Sequence, residues 1–159
     1  MTRKFRKKRK KKMLSDSLKI LLGSTYGFLF KAQNFHWNVE GPDFPKLHKF
    51  FDEVIEDVES SIDKTAEYIR ILNDYVPAGF LPFSKLSIIK DQNQILSAEA
   101  MVAELYEDNL MMIKMLKTIF DVADQENEQG IADFIASRID AHGKHSWMLR
   151  SIMKNRSPM

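Results

Sequence analysis

Four stretches with apolar residues at three- and four-residue spacing constrain the fold of this chain more than any other feature. Such spacing places the apolar side chains on one face of a helix. The first stretch begins near Ser15, and the second follows Asp43 and runs to about Asn73. The third spans roughly residues 97–122, with Leu110 and Met111 among the residues predicted to be buried, and the fourth spans about residues 131–153. We therefore predict an all-α fold built from four helices.

The connections between the stretches indicate how the helices are arranged. Gly41-Pro42 cannot continue a helix, so the first two helices should be antiparallel neighbours. Residues 74–95 form a connection that is unusually long for adjacent helices and ends in a short apolar piece. An acidic loop at residues 121–130 precedes the last helix. Four helices with one long crossover, which carries a short extra helix, predict a ferritin-like four-helix bundle.

Composition excludes several classes of protein. A chain of 159 residues suits one well-buried core. The absence of cysteine excludes disulfides and thiolate metal sites. No apolar run approaches the roughly 18 residues that a membrane span needs, and no small-residue cleavage site follows the basic N-terminus. We expect a soluble protein that is not exported and has no membrane partner.

Charge is distributed unevenly along the chain. Nine of the 24 Lys and Arg residues lie in residues 1–12, which contain no acid, so the remainder has 15 bases against 22 acids. We predict a disordered basic arm at residues 1–13 attached to a bundle at residues 14–159. The basic residues of the arm are Arg3, Lys4, Arg6, Lys7, Lys8, Arg9, Lys10, Lys11 and Lys12.

Several partners suit such an arm. Its cations would bind DNA phosphates in a salt-sensitive way that does not depend on base sequence. An acidic patch on another protein is a second possibility, and a solubilising tail is a third. A membrane surface is disfavoured because the arm has few apolar anchors and no amphipathic period.

Two imidazoles and two carboxylates form a candidate metal site. His36 and His48 flank the Gly-Pro break, while Asp63 and Glu67 lie four residues apart on one helix face. Iron, zinc and manganese accept such ligands. Asp63 lies about 22 Å beyond His48 at 1.5 Å per residue, so one rigid helix cannot bring both to one metal. Two copies related by a two-fold axis remove this difficulty, and the spacing predicts either no site or an intersubunit one.

No glutamate lies three residues before any histidine. The Glu-x-x-His motif of in-bundle di-iron sites is therefore absent. We expect His142 and His145, in the last helix, to be structural.

These motifs resemble those of the Dps family, the DNA-binding proteins from starved cells. Residues 36–52 contain HWxVxG, then LH and D, and match the family's first signature at every defined position. Residues 62–67 keep the second signature in part, with departures at Thr65 and Tyr68. Residues 142–150 resemble the closing helix of the family. The likeness covers about residues 14–152.

The resemblance implies a hollow homododecamer built from two-fold dimers, with ferroxidase sites between chains. Iron would be the metal, with Fe(II) bound by His36, His48 and Asp52 of one chain and by Asp63 and Glu67 of its partner. Hydrogen peroxide would be the preferred oxidant, and ferric mineral would collect inside the shell.

Other side chains near the site acquire roles by the same resemblance. Trp37 would intercept oxidising equivalents. Glu53, Glu56 and Asp57 would line the cavity and nucleate mineral, or else form a solvated helix face. Asp133, with acids of the preceding loop, would line an iron entrance.

The leading hypothesis is an iron-storing ferroxidase, an oxidoreductase that also coats DNA through its arm and protects it from oxidative damage. Such a protein would be cytoplasmic and nucleoid-associated. One alternative is a DNA-coating shell without ferroxidase activity. Another is a monomeric bundle that acts as a protein adaptor.

Overall fold

The computed structural model describes residues 3–154, with side chains described for residue 9 and from residue 11 onward. This part of the chain forms six helices and no strand: α1 (Arg3–Asn38), α2 (Phe44–Ser60), α3 (Ile62–Ile71), α4 (Phe80–Leu86), α5 (Ala98–Gln125) and α6 (Gln129–Met153). The predicted all-α bundle is confirmed: α2 and α3, separated only by Ser61, occupy the predicted second helix, and α4 lies in the crossover. No described helix is both long and apolar enough to span a membrane.

α1 begins at Arg3, inside the predicted arm and well before the apolar pattern that starts near Ser15. Lys and Arg have good helix propensity, and extending a helix costs far less than nucleating one. The apolar pattern therefore marks where burial starts, with Leu14 fully buried. The division into an arm at residues 1–13 and a bundle at residues 14–159 stays a prediction. Residues 1–2 and 155–159 lie outside the described residues.

The predicted second helix is interrupted at Ser61, which separates α2 from α3. The Ser61 hydroxyl donates to the carbonyl of Val58 at 2.7 Å. Its backbone amide donates to the same carbonyl at 3.1 Å. A serine that bonds to the preceding turn competes with the regular helical hydrogen bonds. The prediction of one continuous helix is wrong at this residue.

α5 and α6 are joined by a turn at residues 126–128. Asn127 has a φ of 56°, in the left-handed region. The amide of Glu128 donates to the carbonyl of Ala123 at 3.0 Å, and such bonds satisfy the carbonyls that a helix end leaves free. The loop predicted at residues 121–130 is wrong in extent, because Asp121 and Asp124 lie in α5 and only residues 126–128 form the turn.

The crossover packs against α1 at two glycines. A Cβ at Gly23 would lie 2.8 Å from the carbonyl oxygen of Phe83. A Cβ at Gly27 would overlap the hydroxyl of Ser87. Side chains at these two positions would push the crossover away, so the glycines allow α4 and the segment after it to lie directly on α1.

The core face of α5 differs from the predicted one near the middle of the helix. Leu110 and Met111, predicted to be buried, are 38% and 42% exposed. Asp108 and Asn109 are buried in their place. The Asp108 carboxylate lies 2.6 Å from the ammonium of Lys31, which is itself buried. Because these polar residues have partners in the interior, the buried face of α5 differs from the face that apolar spacing predicts.

Candidate metal site

The end of α1 and the start of α2 bring two imidazoles together. His36 lies in the last turn of α1, and His48 lies near the start of α2. The chain reverses between them at Gly41, whose φ of 109° is in the region that favours glycine. The amide of Phe44 donates to the carbonyl of Gly41 at 3.1 Å and closes the turn. This reversal places two predicted ligands from different helices side by side.

The two imidazole rings stack, with 3.8 Å between centroids and 14° between planes. His36 Nδ1 lies 2.7 Å from the backbone carbonyl of His48, and His48 Nδ1 lies 2.7 Å from that of His36. A carbonyl oxygen only accepts, so each Nδ1 carries the hydrogen. In the neutral rings both Nε2 atoms are then bare acceptors, the form in which histidine binds a metal ion.

Asp52 lies one turn beyond His48 on the same face of α2. Its carboxylate is 3.9 Å from Nε2 of His36, and its side chain is 54% exposed. That distance is too long for a hydrogen bond, so the carboxylate is free to turn toward a cation. One chain thus supplies two nitrogen donors and a nearby carboxylate.

Asp63 and Glu67 lie on α3, beyond the break at Ser61, and both are exposed. Within the described residues of one chain, no group of three or more His, Asp or Glu side chains is arranged to hold a metal ion. A single chain therefore keeps these two carboxylates apart from the imidazole pair. Their joint role with His36 and His48 stays a prediction.

Two exposed aromatic residues adjoin the imidazole pair. Trp37, next to His36, is 69% exposed. Phe44 is 41% exposed, and its ring centroid lies 5.1 Å from that of His48. The imidazoles are therefore bordered by aromatic surface on the outside of the chain.

An open groove of about 1020 Å³ runs between α1 and the crossover. Its lining includes Tyr26, Phe30 and Phe80. Phe30 is 42% exposed and Phe80 is 85% exposed. A contiguous apolar surface of this kind is typical of an interaction site.

The carboxylates predicted to line a cavity differ in how they are held. Glu53, Glu56 and Asp133 are exposed. Asp57 instead accepts two hydrogen bonds from the Arg138 guanidinium, at 3.0 and 2.8 Å. Burial raises the pKa of Asp57, but the bonds and charge of Arg138 outweigh this and hold the pKa below its usual value. Asp57 is thus held in an ion pair with Arg138, and its role in nucleating mineral stays a prediction.

A buried polar cluster joins α2, α5 and α6, and no motif marked its member Asn109. His145 Nε2 lies 3.3 Å from the Asp57 carboxylate. His142 Nδ1 donates to the side-chain oxygen of Asn109 at 2.6 Å. The Asn109 amide nitrogen donates to the carbonyl of His142 at 2.8 Å and to the Ser146 hydroxyl at 2.7 Å. These contacts agree with the structural role expected for the two histidines.

Burial keeps both of these imidazoles neutral. It lowers the pKa of His142 to about 3, and the positive charge of Arg138 adds to the effect. It also lowers the pKa of His145, although the nearby carboxylate of Asp57 acts in the opposite direction. Neither ring is suited to bind a metal ion from solution.

Part of the basic arm contacts the bundle. The ammonium of Lys11 lies 3.1 Å from the carboxylate of Glu128, at the start of α6. Arg9 and Lys12 are exposed. The other arm side chains predicted to bind DNA, those of residues 3, 4, 6–8 and 10, lie outside the described side chains.

Comparison with known proteins identifies the family. The family model for the ferritin-like domain matches residues 16–157. DNA protection during starvation protein 2 of Bacillus anthracis is 31% identical over 77% of this chain and 84% of its own length. The DNA protection during starvation protein of Brevibacillus brevis is 32% identical over 78% of this chain and 83% of its own length. The chain belongs to the Dps family.

Solved Dps structures share the fold. The Dps protein from Bacillus brevis, 27% identical, has a TM-score of 0.89 and covers 92% of this chain and 98% of its own. Dps from Thermosynechococcus elongatus, 22% identical, has a TM-score of 0.91 and covers 94% and 95%. The predicted ferritin-like bundle is therefore confirmed for this member of the Dps family.

Proposed function

We propose that this chain oxidises Fe(II) at a site shared by two copies and stores the ferric product. The imidazole pair carries the proposal, because reciprocal backbone bonds leave both Nε2 atoms free to bind a metal ion. Imidazole and carboxylate donors suit iron. The chain also lacks cysteine, whose thiolate peroxide would oxidise. Membership of a ferritin-like family supports iron as the metal substrate.

A second copy would complete the site with its Asp63 and Glu67. Both carboxylates are exposed on α3, and the groove with Phe30 and Phe80 offers apolar surface for that copy to cover. A two-fold contact repeats itself, so each dimer would hold two equivalent sites. Further dimers would assemble into the hollow dodecamer that the family resemblance implies.

The reaction balances with hydrogen peroxide as the oxidant. Two ferrous ions lose one electron each, the O–O bond of one peroxide breaks, and two protons are taken up to give two water molecules. The carboxylates of Asp52, Asp63 and Glu67 would favour the more highly charged ferric product. Trp37 would intercept stray oxidising equivalents beside His36, and Glu53 would receive ferric ions for mineral growth.

Mixed assemblies test the shared site. His36→Ala and Asp63→Ala chains should each oxidise Fe(II) slowly when assembled alone. When the two variants are co-expressed, a mixed dimer keeps one intact site, because His36 of one chain meets Asp63 of the other. Random pairing of equal amounts should restore about one quarter of the wild-type rate. The rate is followed by the absorbance of the ferric product after peroxide is added.

Two results would contradict the proposal. No recovery in the mixed assembly would exclude a site shared between chains. Equal oxidation rates in wild type, His36→Ala and Asp63→Ala would exclude iron chemistry at these residues and leave a shell that coats DNA.

We further propose that the arm binds DNA without sequence preference, in the cytoplasm at the nucleoid. Its density of Lys and Arg supports this, as do the names of the relatives. Several arms on one shell would raise avidity without base contacts. Deleting residues 2–12 should abolish gel retardation of DNA at moderate salt and leave iron oxidation unchanged. If the deletion leaves gel retardation unchanged, the arm is not the part of the protein that binds DNA.

A further inference from the structure

The Phe44 ring contacts the imidazole of His48. The two rings stack with 5.1 Å between centroids and 29° between planes. His48 also stacks on His36, with 3.8 Å between centroids and 14° between planes. The His48 imidazole thus contacts two flat rings.

The position of Phe44 is not explained by the hydrophobic core. Its side chain is 41% exposed, and it is not one of the residues packed in the core cluster. The Phe44 amide donates a hydrogen bond to the Gly41 carbonyl, and the Leu47 amide donates one to the Asp43 carbonyl at 3.0 Å. These bonds fix the backbone of Phe44 at the start of α2. The four-residue spacing on α2 then places the ring over His48.

We propose that Phe44 is a positioning residue that holds the His48 imidazole with Nε2 directed at the metal ion. This inference rests on the proposed function of the same site. The Nδ1–H bond to the His36 carbonyl fixes one atom of the ring. The final torsion of a histidine side chain is broad and soft, so one bond leaves the ring plane free to tilt. The Phe44 ring opposes that tilt.

A pre-oriented ligand binds more tightly because less freedom is lost when the metal arrives. A flat aromatic ring restrains a stacked imidazole in a way that an aliphatic side chain of similar bulk does not. Phe44→Leu should therefore lose the effect, although it keeps apolar cover over His48. Phe44→Tyr should keep it, because the ring plane is retained.

Zinc titration of the metal-free, assembled full-length protein measures the effect on the site. Phe44→Leu should bind Zn(II) roughly three- to tenfold more weakly than wild type, the range expected for one aromatic pair. Phe44→Tyr should bind as wild type does. Size-exclusion chromatography of each variant checks that the assembly is unchanged.

Exchange of the imidazole C2 hydrogen for deuterium, read by mass spectrometry without metal, measures the His48 ring itself. Cleavage after Lys46 separates the peptide that contains His36 from the one that contains His48. His48 should exchange faster in Phe44→Leu than in wild type or Phe44→Tyr. His142 and His145 serve as internal controls and should not change.

The outcomes separate this inference from the function on which it rests. If His36→Ala binds zinc as tightly as wild type, the metal site itself is wrong and both fall. If His36→Ala binds weakly but Phe44→Leu matches wild type in affinity and in His48 exchange, only the role of Phe44 is overturned. A Phe44→Leu variant with altered assembly and unchanged His48 exchange would also overturn it, because Phe44 would then act at an interface.

Discussion

The chain contains two pairs of histidines with opposite surroundings. In the first pair, His36 and His48 bond to backbone carbonyls through Nδ1 and keep Nε2 free. In the second pair, His142 and His145 are 2% and 6% exposed and contact Asn109 and Asp57. Both pairs bring two rings close together, yet only the first is suited to bind a metal ion. The partners of the ring nitrogens and the burial of the ring decide the chemistry of a histidine.

Removing one imidazole from each pair should give the largest contrast. His48→Ala should lower the rate of Fe(II) oxidation by more than about a hundredfold, since loss of a ligand's outer partner alone costs 10- to 100-fold. His145→Ala should keep the rate per folded chain and lower the free energy of unfolding by about 2 kcal/mol. Oxidation assays and urea unfolding measure the two effects. Equal loss of oxidation in both variants would remove the distinction between the pairs.

The ion pair beneath the second histidine pair can be broken separately. Arg138→Leu leaves the Asp57 carboxylate without its guanidinium partner. The free energy of unfolding should fall by about 2–3 kcal/mol, less than for a fully buried pair because Asp57 is partly exposed. Urea unfolding measures the change. Arg138→Lys keeps the charge but loses the bidentate geometry, so its free energy of unfolding should lie between those of wild type and Arg138→Leu. An Arg138→Leu variant as stable as wild type would show that this ion pair does not anchor α2 to α6.

Acid should destabilise the protein through the two buried histidines, His142 and His145. The pKa of His142 is about 3 in the folded chain against the usual 6.5, so the unfolded state takes up the proton first as pH falls. Stability from neutral His142 is complete above about pH 6.5 and declines by on the order of 1 kcal/mol per pH unit down to about pH 3. The lowered pKa of His145 acts in the same direction.

Urea unfolding at about pH 7 and about pH 5 tests this dependence. The difference in the free energy of unfolding between the two pH values should be smaller in His142→Gln than in wild type, because the group that takes up the proton is gone. An equal loss of stability in wild type and in His142→Gln would show that this imidazole does not cause the dependence on pH.

The smallest expected effect concerns the outer hydrogen bond of the buried cluster. Ser146→Ala removes one bond to Asn109, which keeps its other bond to the His142 carbonyl. The free energy of unfolding should fall by about 0.5–1.5 kcal/mol. Ser151→Ala, on the exposed side of the same helix, is the matched control and should change it by less than about 0.5 kcal/mol. If Ser146→Ala and Ser151→Ala lower the free energy of unfolding equally in thermal or urea unfolding, the buried hydrogen bond adds no more stability than the exposed one.

Local sequence patterns predicted the helices better than their ends. Periodic apolar residues report burial on one face, so the four long segments and the crossover followed from spacing. The breaks at Ser61 and Asn127 depend on single side-chain and backbone conformations that periodicity does not encode. The face of α5 was misassigned at Leu110 and Met111 because Asn109 finds its partners on α6, far away along the chain.

The sequence by itself determined that two imidazoles flank a helix break and that Asp63 lies too far along the next helix to join them in one chain. Only the tertiary structure decided which nitrogen of each ring stays free, that Phe44 covers His48, and that Asp57 is bound by Arg138. The reason is physical: hydrogen bonds and ring contacts act over a few ångströms between residues that the fold brings together, and spacing along a chain specifies which face a residue occupies but not which atoms it meets.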